Sequence, residues 1–282
     1  MKSWLVLALL VLLMVPATFA VTYTTIDFPG AVQTFANGIN AAGDIVGSYQ
    51  DSLGVQHGFI RSNGILSTID PPTSAYTYAT GINDSDQVIG YYSQSDGTRH
   101  GFVLTGQTYT DIDYPGATYT YPFSINNAGQ IVGYYIGNLV AGFEYCNGLW
   151  TSISVPHAAQ TYVTGINNNG DLLGTYFYAN GQQSKYYGFL QSAGIVHVLQ
   201  PPQNGTVVFT GNLNDFRQGL ADVSLVVLSS VLFQPPSTYK ILRNLSTFST
   251  PEMFAAGINN NGEIVGYYLD NQFLYHGYLA VN

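Results

Sequence analysis

A short motif that recurs at nearly constant spacing constrains this chain more than any other feature. The motif is Gly-Ile-Asn followed by a turn, first at Gly38-Ile39-Asn40, and six copies of it run through the chain. The anchoring asparagines are 43, 43, 41, 47 and 45 residues apart, and they are Asn40, Asn83, Asn126, Asn167, loosely Asn214, and Asn259. A period of this length predicts a repeat architecture, in which each copy is one structural unit.

Glycine and proline keep fixed distances from the anchoring asparagine. A glycine lies seven residues after it in five copies, at Gly47, Gly90, Gly133, Gly174 and Gly266. A proline lies eleven residues before it in the first four copies, at Pro29, Pro72, Pro115 and Pro156. Spacing this rigid predicts the same backbone geometry in each copy, so the asparagines and glycines are interpreted as structural positions.

Each copy predicts four short strands, which in the first copy are residues 35–40, 44–50, 57–61 and 66–70. The turn between the first two strands is Asn40-Ala41-Ala42-Gly43. Asparagine bonds its own backbone at the entry of such a turn, and glycine supplies the positive φ. The strands are rich in β-branched and aromatic residues, and no window shows a helical period.

Four antiparallel strands repeated about every 43 residues are typical of a β-propeller blade. Residues 23–27 match a fourth strand, and the last copy ends after its third strand. The sequence therefore predicts one all-β domain over residues 21–282, a six-bladed β-propeller. The N-terminal strand completes the last blade and closes the ring, which protects the sheet edges. The alternative fold is a β-solenoid, in which a displaced terminal strand would have no structural role. The fifth blade, residues 207–243, is degenerate: Arg217 replaces the turn glycine and Ala221 the later one.

The first twenty residues are typical of a secretory signal peptide. Lys2 precedes an apolar run of 12 residues, Pro16 interrupts it, and Ala20 is a small residue suited to cleavage. A run of 12 is shorter than the ~20 residues that a spanning helix needs. We therefore expect cleavage after Ala20, a secreted protein (extracellular or periplasmic), and no membrane span afterwards.

The composition excludes some classes of partner. Charged residues make up only 8% of the chain, Lys and Arg total 7, and the formal net charge is -9. Such a chain lacks the basic patch that a nucleic-acid-binding surface needs. Cys146 is the only cysteine, so no intrachain disulfide forms and a buried, inert thiol is expected. The expected state is a monomer.

The repeat resembles the bacterial extracellular repeat proteins of the HAF family. The resemblance rests on the pattern G-I-N-x-x-G-x-I-V-G-x-Y, followed by a strand of His, a small residue and an aromatic residue. That strand reads His57-Gly58-Phe59, His100-Gly101-Phe102 and His276-Gly277-Tyr278. The third and fourth copies depart from it, with Ala141 and Tyr187 in place of the histidine. The resemblance implies secretion, and it implies no activity or catalytic residues.

The three repeated histidines, His57, His100 and His276, raise the possibility of a metal site. Equivalent positions on adjacent blades are expected ~10 Å or more apart, because facing sheets pack about that far from each other. Zinc ligands lie ~2 Å from one ion. The histidines are therefore interpreted as structural, and neither a metal nor a cofactor is predicted.

The longest loops follow the second and fourth strands, so both sets are expected on one face of the ring. Function on a repeat scaffold usually lies in such loops. The candidate ligand-binding residues on this face are Asp27, Asp70, Asp113, Tyr76, Tyr114 and Tyr119. Tyrosine rings stack on sugars and carboxylates accept their hydroxyls. Under the alternative interpretation, each aspartate caps its own turn before proline.

The function expected from these features is recognition. We expect a secreted or cell-surface module that binds an extracellular glycan or protein, since no nucleophile elbow or phosphate loop is present. An alternative is an extracellular glycan hydrolase or lyase with paired carboxylates at the propeller mouth. A third possibility is a structural role in an envelope or matrix, with self-association.

Overall fold

The computed structural model describes residues 21–179, 184–199, 206–224, 228–234, 238–241 and 253–281. Residues 1–20, which carry the signal-peptide prediction, lie outside this part. All regular elements of the described residues are β-strands. The described residues accordingly contain no helix long and apolar enough to cross a membrane. The all-β prediction is confirmed.

The described residues contain 24 strands, β1 to β24 in chain order. They fall into six groups of four strands, called repeat sheets here, and the second, third and fourth groups are joined into one twelve-stranded sheet. The first sheet contains β2 (Gln33–Ile39), β3 (Ile45–Gln50), β4 (Gln56–Ser62) and β5 (Ile65–Ile69). The second contains β6 (Tyr76–Ile82), β7 (Val88–Ser93), β8 (Arg99–Thr105) and β9 (Thr108–Ile112). The third contains β10 (Tyr119–Ile125), β11 (Ile131–Ile136), β12 (Val140–Cys146) and β13 (Leu149–Ile153).

The remaining strands repeat this order. The fourth sheet contains β14 (Gln160–Ile166), β15 (Leu172–Ala179), β16 (Ser184–Ser192) and β17 (Ile195–Leu199). The fifth contains β18 (Thr206–Leu213), β19 (Gly219–Ser224), β20 (Leu228–Gln234) and β21 (Thr238–Ile241). The sixth contains β22 (Met253–Ile258), β23 (Ile264–Leu269), β24 (Tyr275–Val281) and the N-terminal β1 (Thr22–Ile26).

Neighbouring strands within each repeat sheet pair antiparallel, in chain order in the first five and in the order β22-β23-β24-β1 in the sixth. Two single parallel pairs, Tyr119 with Arg99 and Val140 with Gln160, join the second, third and fourth sheets at their edges. β1 pairs antiparallel with β24, from Thr22 opposite Val281 to Ile26 opposite Gly277. The N-terminal strand therefore occupies the edge position that the sequence assigned to it.

A β-bulge interrupts the first strand of every sheet. In five sheets one residue is left out of the ladder, three positions before the anchoring asparagine: Asn37, Thr80, Phe123, Thr164 and Ala256. In the fifth sheet the ladder shifts between Phe209 and Leu213, so the residues of 210–212 are left out together. Bulges re-aim side chains, and all of these residues point toward the same space.

The repeated glycine is required by close packing. A Cβ on Gly47 would overlap the carbonyl oxygen of Phe35 on the neighbouring strand, and it would press into the Phe59 ring. Gly90, Gly133, Gly174 and Gly266 meet the equivalent atoms in their own sheets. Phe59 and its counterparts Phe102, Phe143 and Phe189 are fully buried, so the core lies between successive sheets.

The fifth sheet keeps the strand order despite its degenerate sequence. Its four described strands pair in the order β18-β19-β20-β21. Arg217 replaces the turn glycine and adopts a left-handed φ of 59°. Residues 225–227, 235–237 and 242–243 of the predicted degenerate blade lie outside the described residues, as do residues 244–252 after it.

Candidate functional site

The anchoring asparagines form a chain of hydrogen bonds across the tight-turn end of the molecule. Each Nδ2 donates to the main-chain oxygen of the asparagine in the next sheet, and the contact from Asn259 returns to Asn40 at 2.9 Å. The other five bonds are 3.4, 3.1, 3.1, 3.3 and 3.2 Å long. We call these six residues the asparagine ring: Asn40, Asn83, Asn126, Asn167, Asn214 and Asn259.

The same side chains also hold the hairpin turns. In the third sheet, Oδ1 of Asn126 accepts hydrogen bonds from the N–H groups of Ala128 and Gln130, at 3.1 and 3.0 Å. All six asparagines are buried, and these bonds satisfy their amide groups. The geometry gives the asparagine ring a scaffold role.

The predicted aspartates are engaged with the repeated histidines. Asp70 contacts Nδ1 of His57 at 2.7 Å, and it also accepts the N–H of Gly58. The same arrangement joins Asp113 to His100 at 2.8 Å. His276 and Asp27 form a third pair, at 3.0 Å.

These pairs lie within their own sheets, and each histidine ring also contacts a tyrosine of the second strand: Tyr49, Tyr92 or Tyr268. In the described part of the chain, no three His, Cys, Asp or Glu side chains are placed to hold a metal ion. The structure thus brings each aspartate together with a histidine, and it does not bring the three aspartates together with each other.

The predicted tyrosines fall into two environments. Tyr114 stacks on Tyr135, with 3.7 Å between ring centroids, and packs against the core of the third sheet. Tyr76 and Tyr119 lie at the start of the first strands of their sheets, at the long-loop end. Tyr76 is 46% exposed. Two of the three tyrosines are therefore placed where a ligand has access.

A recess at the long-loop end is lined by Tyr76, Tyr78, Tyr91, Ser93 and Arg99, and its volume is about 100 Å³. The Arg99 guanidinium donates to the Tyr121 hydroxyl at 2.6 Å. It also lies 5.5 Å from the centre of the Tyr119 ring, within the range of a cation–π contact. We call these residues, with Tyr119 and Tyr121, the mouth.

A larger cavity, of about 330 Å³, lies on the axis between the first strands of all six sheets. The bulge residues line it, together with aromatic rings from both the first and second strands. Its described lining is Phe35, Asn37, Ser48, Gln56, Tyr78, Thr80, Tyr91, Phe123, Thr164, Thr210, Gly211, Asn212, Phe254, Ala255, Ala256 and Tyr267. None of these lining residues carries a charge.

Aromatic rings of the first and second strands form two runs of contacts near the axis, called the aromatic belt here, and sequence reasoning did not identify them. Its members are Phe35, Tyr78, Tyr91, Tyr121, Tyr134, Tyr162, Phe254 and Tyr267. The rings from Tyr78 to Tyr162 contact one another at centroid distances of 4.9, 5.0, 4.9 and 4.9 Å. Phe254 and Phe35 each lie 5.1 Å from Tyr267. A signal was present: an aromatic residue lies five positions before the anchoring asparagine in all six copies and eight positions after it in three.

Burial raises the pKa of two tyrosines of the belt, Tyr91 and Tyr134. Desolvation, followed by the nearby tyrosines, raises the pKa of Tyr134 to about 12 and raises that of Tyr91 as well. Arg99 lowers both pKa values slightly. Tyr91 and Tyr134 therefore present neutral hydroxyl groups at any physiological pH.

No protein-family model and no curated protein sequence matches the chain. Solved structures do match. AofleA from Arthrobotrys oligospora is 14% identical with a TM-score of 0.57, over 92% of this chain and 86% of that one. The β-propeller domain of the Trilobed protease from Pyrococcus furiosus is 7% identical with a TM-score of 0.54, over 88% and 81%. The chain has the β-propeller fold.

A structure of the Aleuria aurantia lectin, a mutant in complex with Fucα1-6GlcNAc, is also similar to this propeller. It is 13% identical with a TM-score of 0.53, over 88% of this chain and 91% of that one. At these identities the similarity shows the fold alone. The resemblance to the HAF family stays a prediction, and the repeat sheets are called blades below.

Proposed function

We propose that this propeller is a secreted glycan-binding module and that the mouth and the aromatic belt form its binding surface. The observation that carries the proposal is the belt itself, rings from several blades that converge on one axis. Aromatic faces pack on the apolar faces of sugars, while tyrosine hydroxyls and Arg99 bond their hydroxyl groups.

A glycan suits this surface better than a folded protein does. The rings of Tyr78 and Tyr91 are half-buried in a concave recess. Protein partners usually need ~800 Å² on each side, whereas concave, aromatic pockets suit small ligands. The Aleuria lectin carries a glycan on a fold of the same kind, which is consistent with the proposal.

The alternative, a hydrolase or lyase, requires two carboxylates ~5 to ~9.5 Å apart across the substrate. The described lining of the axial cavity contains no Asp or Glu. Asp27, Asp70 and Asp113 are each bonded to a histidine of their own blade. No observation in the described residues favours catalysis at this site.

We infer in addition that the fold is a single domain of six blades in a closed ring, with β1 as the clasp. Support comes from the six sheets, the return of the asparagine ring from Asn259 to Asn40, and the pairing of β1 with β24. Secretion and signal cleavage rest on residues 1–20, and intact mass of the exported protein tests cleavage after Ala20. Light scattering tests the expected monomer.

A glycan array with purified residues 21–282 tests the proposed function. We expect selective glycan binding that Tyr76→Ala and Arg99→Ala each weaken about three- to tenfold, because a stacked ring or a charged donor contributes ~1 kcal/mol. The matched control is Phe216→Ala, since Phe216 is 67% exposed in a turn at the opposite end. Absence of binding to any array glycan, or equal loss in the control, contradicts the proposal.

A further inference from the structure

The axial cavity has different structures at its two ends. The asparagine ring, with side-chain bonds between successive blades, lies across the tight-turn end. The mouth lies at the long-loop end, where Tyr78 and Tyr91 line both the mouth and the cavity. A linear ligand that enters through the mouth therefore meets the asparagine ring and does not thread through the axis.

The size and the lining of the cavity restrict what it holds. A volume of about 330 Å³ is at the lower end of the range for ligand pockets. The walls combine rings, such as Phe35, Phe123 and Phe254, with uncharged polar groups. Burial of an unpaired charge here is costly. The cavity thus suits one small, uncharged, polar group.

One wall carries a buried hydroxyl without a partner. Thr164 is 7% exposed, lines the cavity, and its Oγ1 has no hydrogen-bond partner. The equivalent Thr80 donates to the main-chain oxygen of Pro122 in the next blade, at 2.8 Å. The blade after Thr164 is the fifth, where the three-residue bulge of 210–212 replaces the regular backbone. The Thr164 hydroxyl is therefore left facing the cavity.

A second wall carries an unpartnered amide. Gln56 is 8% exposed and lines the cavity, and its Nε2 has no partner. Ser48 lies beside it in the lining, at the position where other blades carry Tyr91, Tyr134 or Tyr267. Serine occupies less of this wall than the tyrosine of the other blades does. Two unpartnered groups, three repeats apart, thus meet the same cavity.

We propose that this cavity binds one uncharged sugar residue at the end of a glycan, so that the protein recognises chain ends rather than chain interiors. The inference rests on the proposed function and specifies its ligand. A neutral sugar offers oxygens to the Gln56 amide, a partner to the Thr164 hydroxyl, and apolar faces to the rings. Satisfying these buried groups recovers the free energy that their desolvation costs.

The first experiment uses Thr164→Val with Thr161→Val as the matched control. Thr161 lies on the same strand, but its Oγ1 accepts the N–H of Val155 at 3.1 Å. The probes are glucose, galactose, mannose, fucose and N-acetylglucosamine, with glucuronic acid as the charged comparison. Calorimetry gives the affinity and thermal unfolding of the unliganded protein gives the stability.

Thr164→Val is expected to weaken neutral-sugar binding about five- to tenfold while its melting temperature stays equal or rises, because it deletes an unpaired hydroxyl. Thr161→Val is expected to lower the melting temperature and leave the affinity unchanged. Weaker sugar binding without a lower melting temperature is not expected from the loss of a threonine that has only a structural role. Unchanged sugar affinity in Thr164→Val overturns the inference.

The second experiment tests chain-end recognition. A glycan that the wild type binds is compared with the same glycan after its terminal sugar is capped with sialic acid, and we expect at least tenfold weaker binding. Retained binding of the capped glycan overturns the inference and leaves the proposed function standing. Failure of the wild type to bind any glycan overturns both.

Discussion

A single missing N–H group distinguishes one threonine from its counterparts in other blades. The hydroxyls of Thr34, Thr120 and Thr161 accept the N–H of the residue six positions earlier, at 3.0, 2.9 and 3.1 Å. In the second blade that residue is Pro71, which has no N–H. Thr77 is fully buried there, and its Oγ1 has no partner.

We therefore expect Thr77→Val to stabilise the protein by about 1 kcal/mol, since it removes an unsatisfied buried hydroxyl at equal volume. Thr120→Val, the matched control, is expected to destabilise it by about 1 kcal/mol, because it orphans the N–H of Tyr114. Urea unfolding of both variants checks the pair. Equal destabilisation by both substitutions is the contrary result.

The degenerate turn of the fifth blade contributes an ion pair. Arg217 reaches across to Asp171 of the fourth blade, with Nε–Oδ2 and Nη2–Oδ1 distances of 2.8 and 3.1 Å. Burial raises the pKa of Asp171, but hydrogen bonds from Arg217, Ser192 and Asn167 outweigh it and hold the pKa below its usual value. The substitution of the turn glycine therefore links two blades.

Arg217→Ala is expected to lower the free energy of unfolding by about 1–3 kcal/mol at neutral pH, because it leaves the buried Asp171 carboxylate without its cationic partner. The arginine itself is partly exposed, which limits the size of the effect. Since the pKa of Asp171 is lowered on folding, the ion pair stabilises the protein above the unfolded pKa, near 3.9. The difference in unfolding free energy between Arg217→Ala and the wild type should disappear as the pH falls through the pKa of Asp171 in the folded protein.

Chemical denaturation between neutral and acidic pH measures this difference, with Arg61→Ala as a control that removes a cation elsewhere. An Arg217→Ala cost that does not change with pH, or an equal cost in the control, counts against the ion pair as its source.

At the scale of a hairpin, the glycine seven residues after the asparagine decides whether two strands approach. A Cβ on Gly133 would overlap the carbonyl oxygen of Tyr121 on the paired strand, and it would meet the Phe143 ring. Gly137 lies just after the same strand, where an added Cβ meets its nearest atom at an ordinary 3.5 Å.

Gly133→Ala is accordingly expected to lower the free energy of unfolding by more than about 3 kcal/mol or to prevent folding, because backbone atoms must move to make room for the Cβ. Gly137→Ala is expected to change stability by less than about 1 kcal/mol. Circular dichroism with thermal unfolding compares the two. Similar melting temperatures for both variants would show that the paired strands can move apart to accept the added Cβ without loss of stability.

The rings of the aromatic belt come from the first and second strands of successive blades. Tyr78 and Tyr121 come from first strands, and Tyr91 and Tyr134 from second strands, of successive blades. The bulge residues Thr80 and Phe123 lie two positions after these first-strand rings and line the axial cavity. The repeated spacing was visible in the sequence, but its direction toward the axis was not.

For the molecule as a whole, the pairing of β1 with β24 joins the two ends of the described chain. Thr22 and Val281 are Cα partners in this pair. Cysteines at directly opposed positions of antiparallel strands lie at a distance suited to a disulfide. A bond there would clasp the proposed ring covalently.

Thr22→Cys with Val281→Cys, in a Cys146→Ser background, is expected to form an intramolecular disulfide and to raise the free energy of unfolding by up to about 5 kcal/mol, since the closed loop is long. Mass spectrometry detects the bond, and unfolding with and without reductant measures its effect. The Cys146→Ser protein alone is the control. Dimers linked through these cysteines in place of monomers would indicate an open arrangement.

The sequence alone established the β class, the four-strand period, the hairpin turns and the displaced N-terminal strand, because turn chemistry and strand alternation act over a few residues. Tertiary structure decided the rest. It placed Asp70 against His57, packed Tyr114 in a core, and directed Tyr91, Thr164 and Gln56 toward one axis. The first two outcomes depend on how strands pack within one blade, and the third depends on how blades face one another. Neither kind of packing is encoded in a pattern of a few residues.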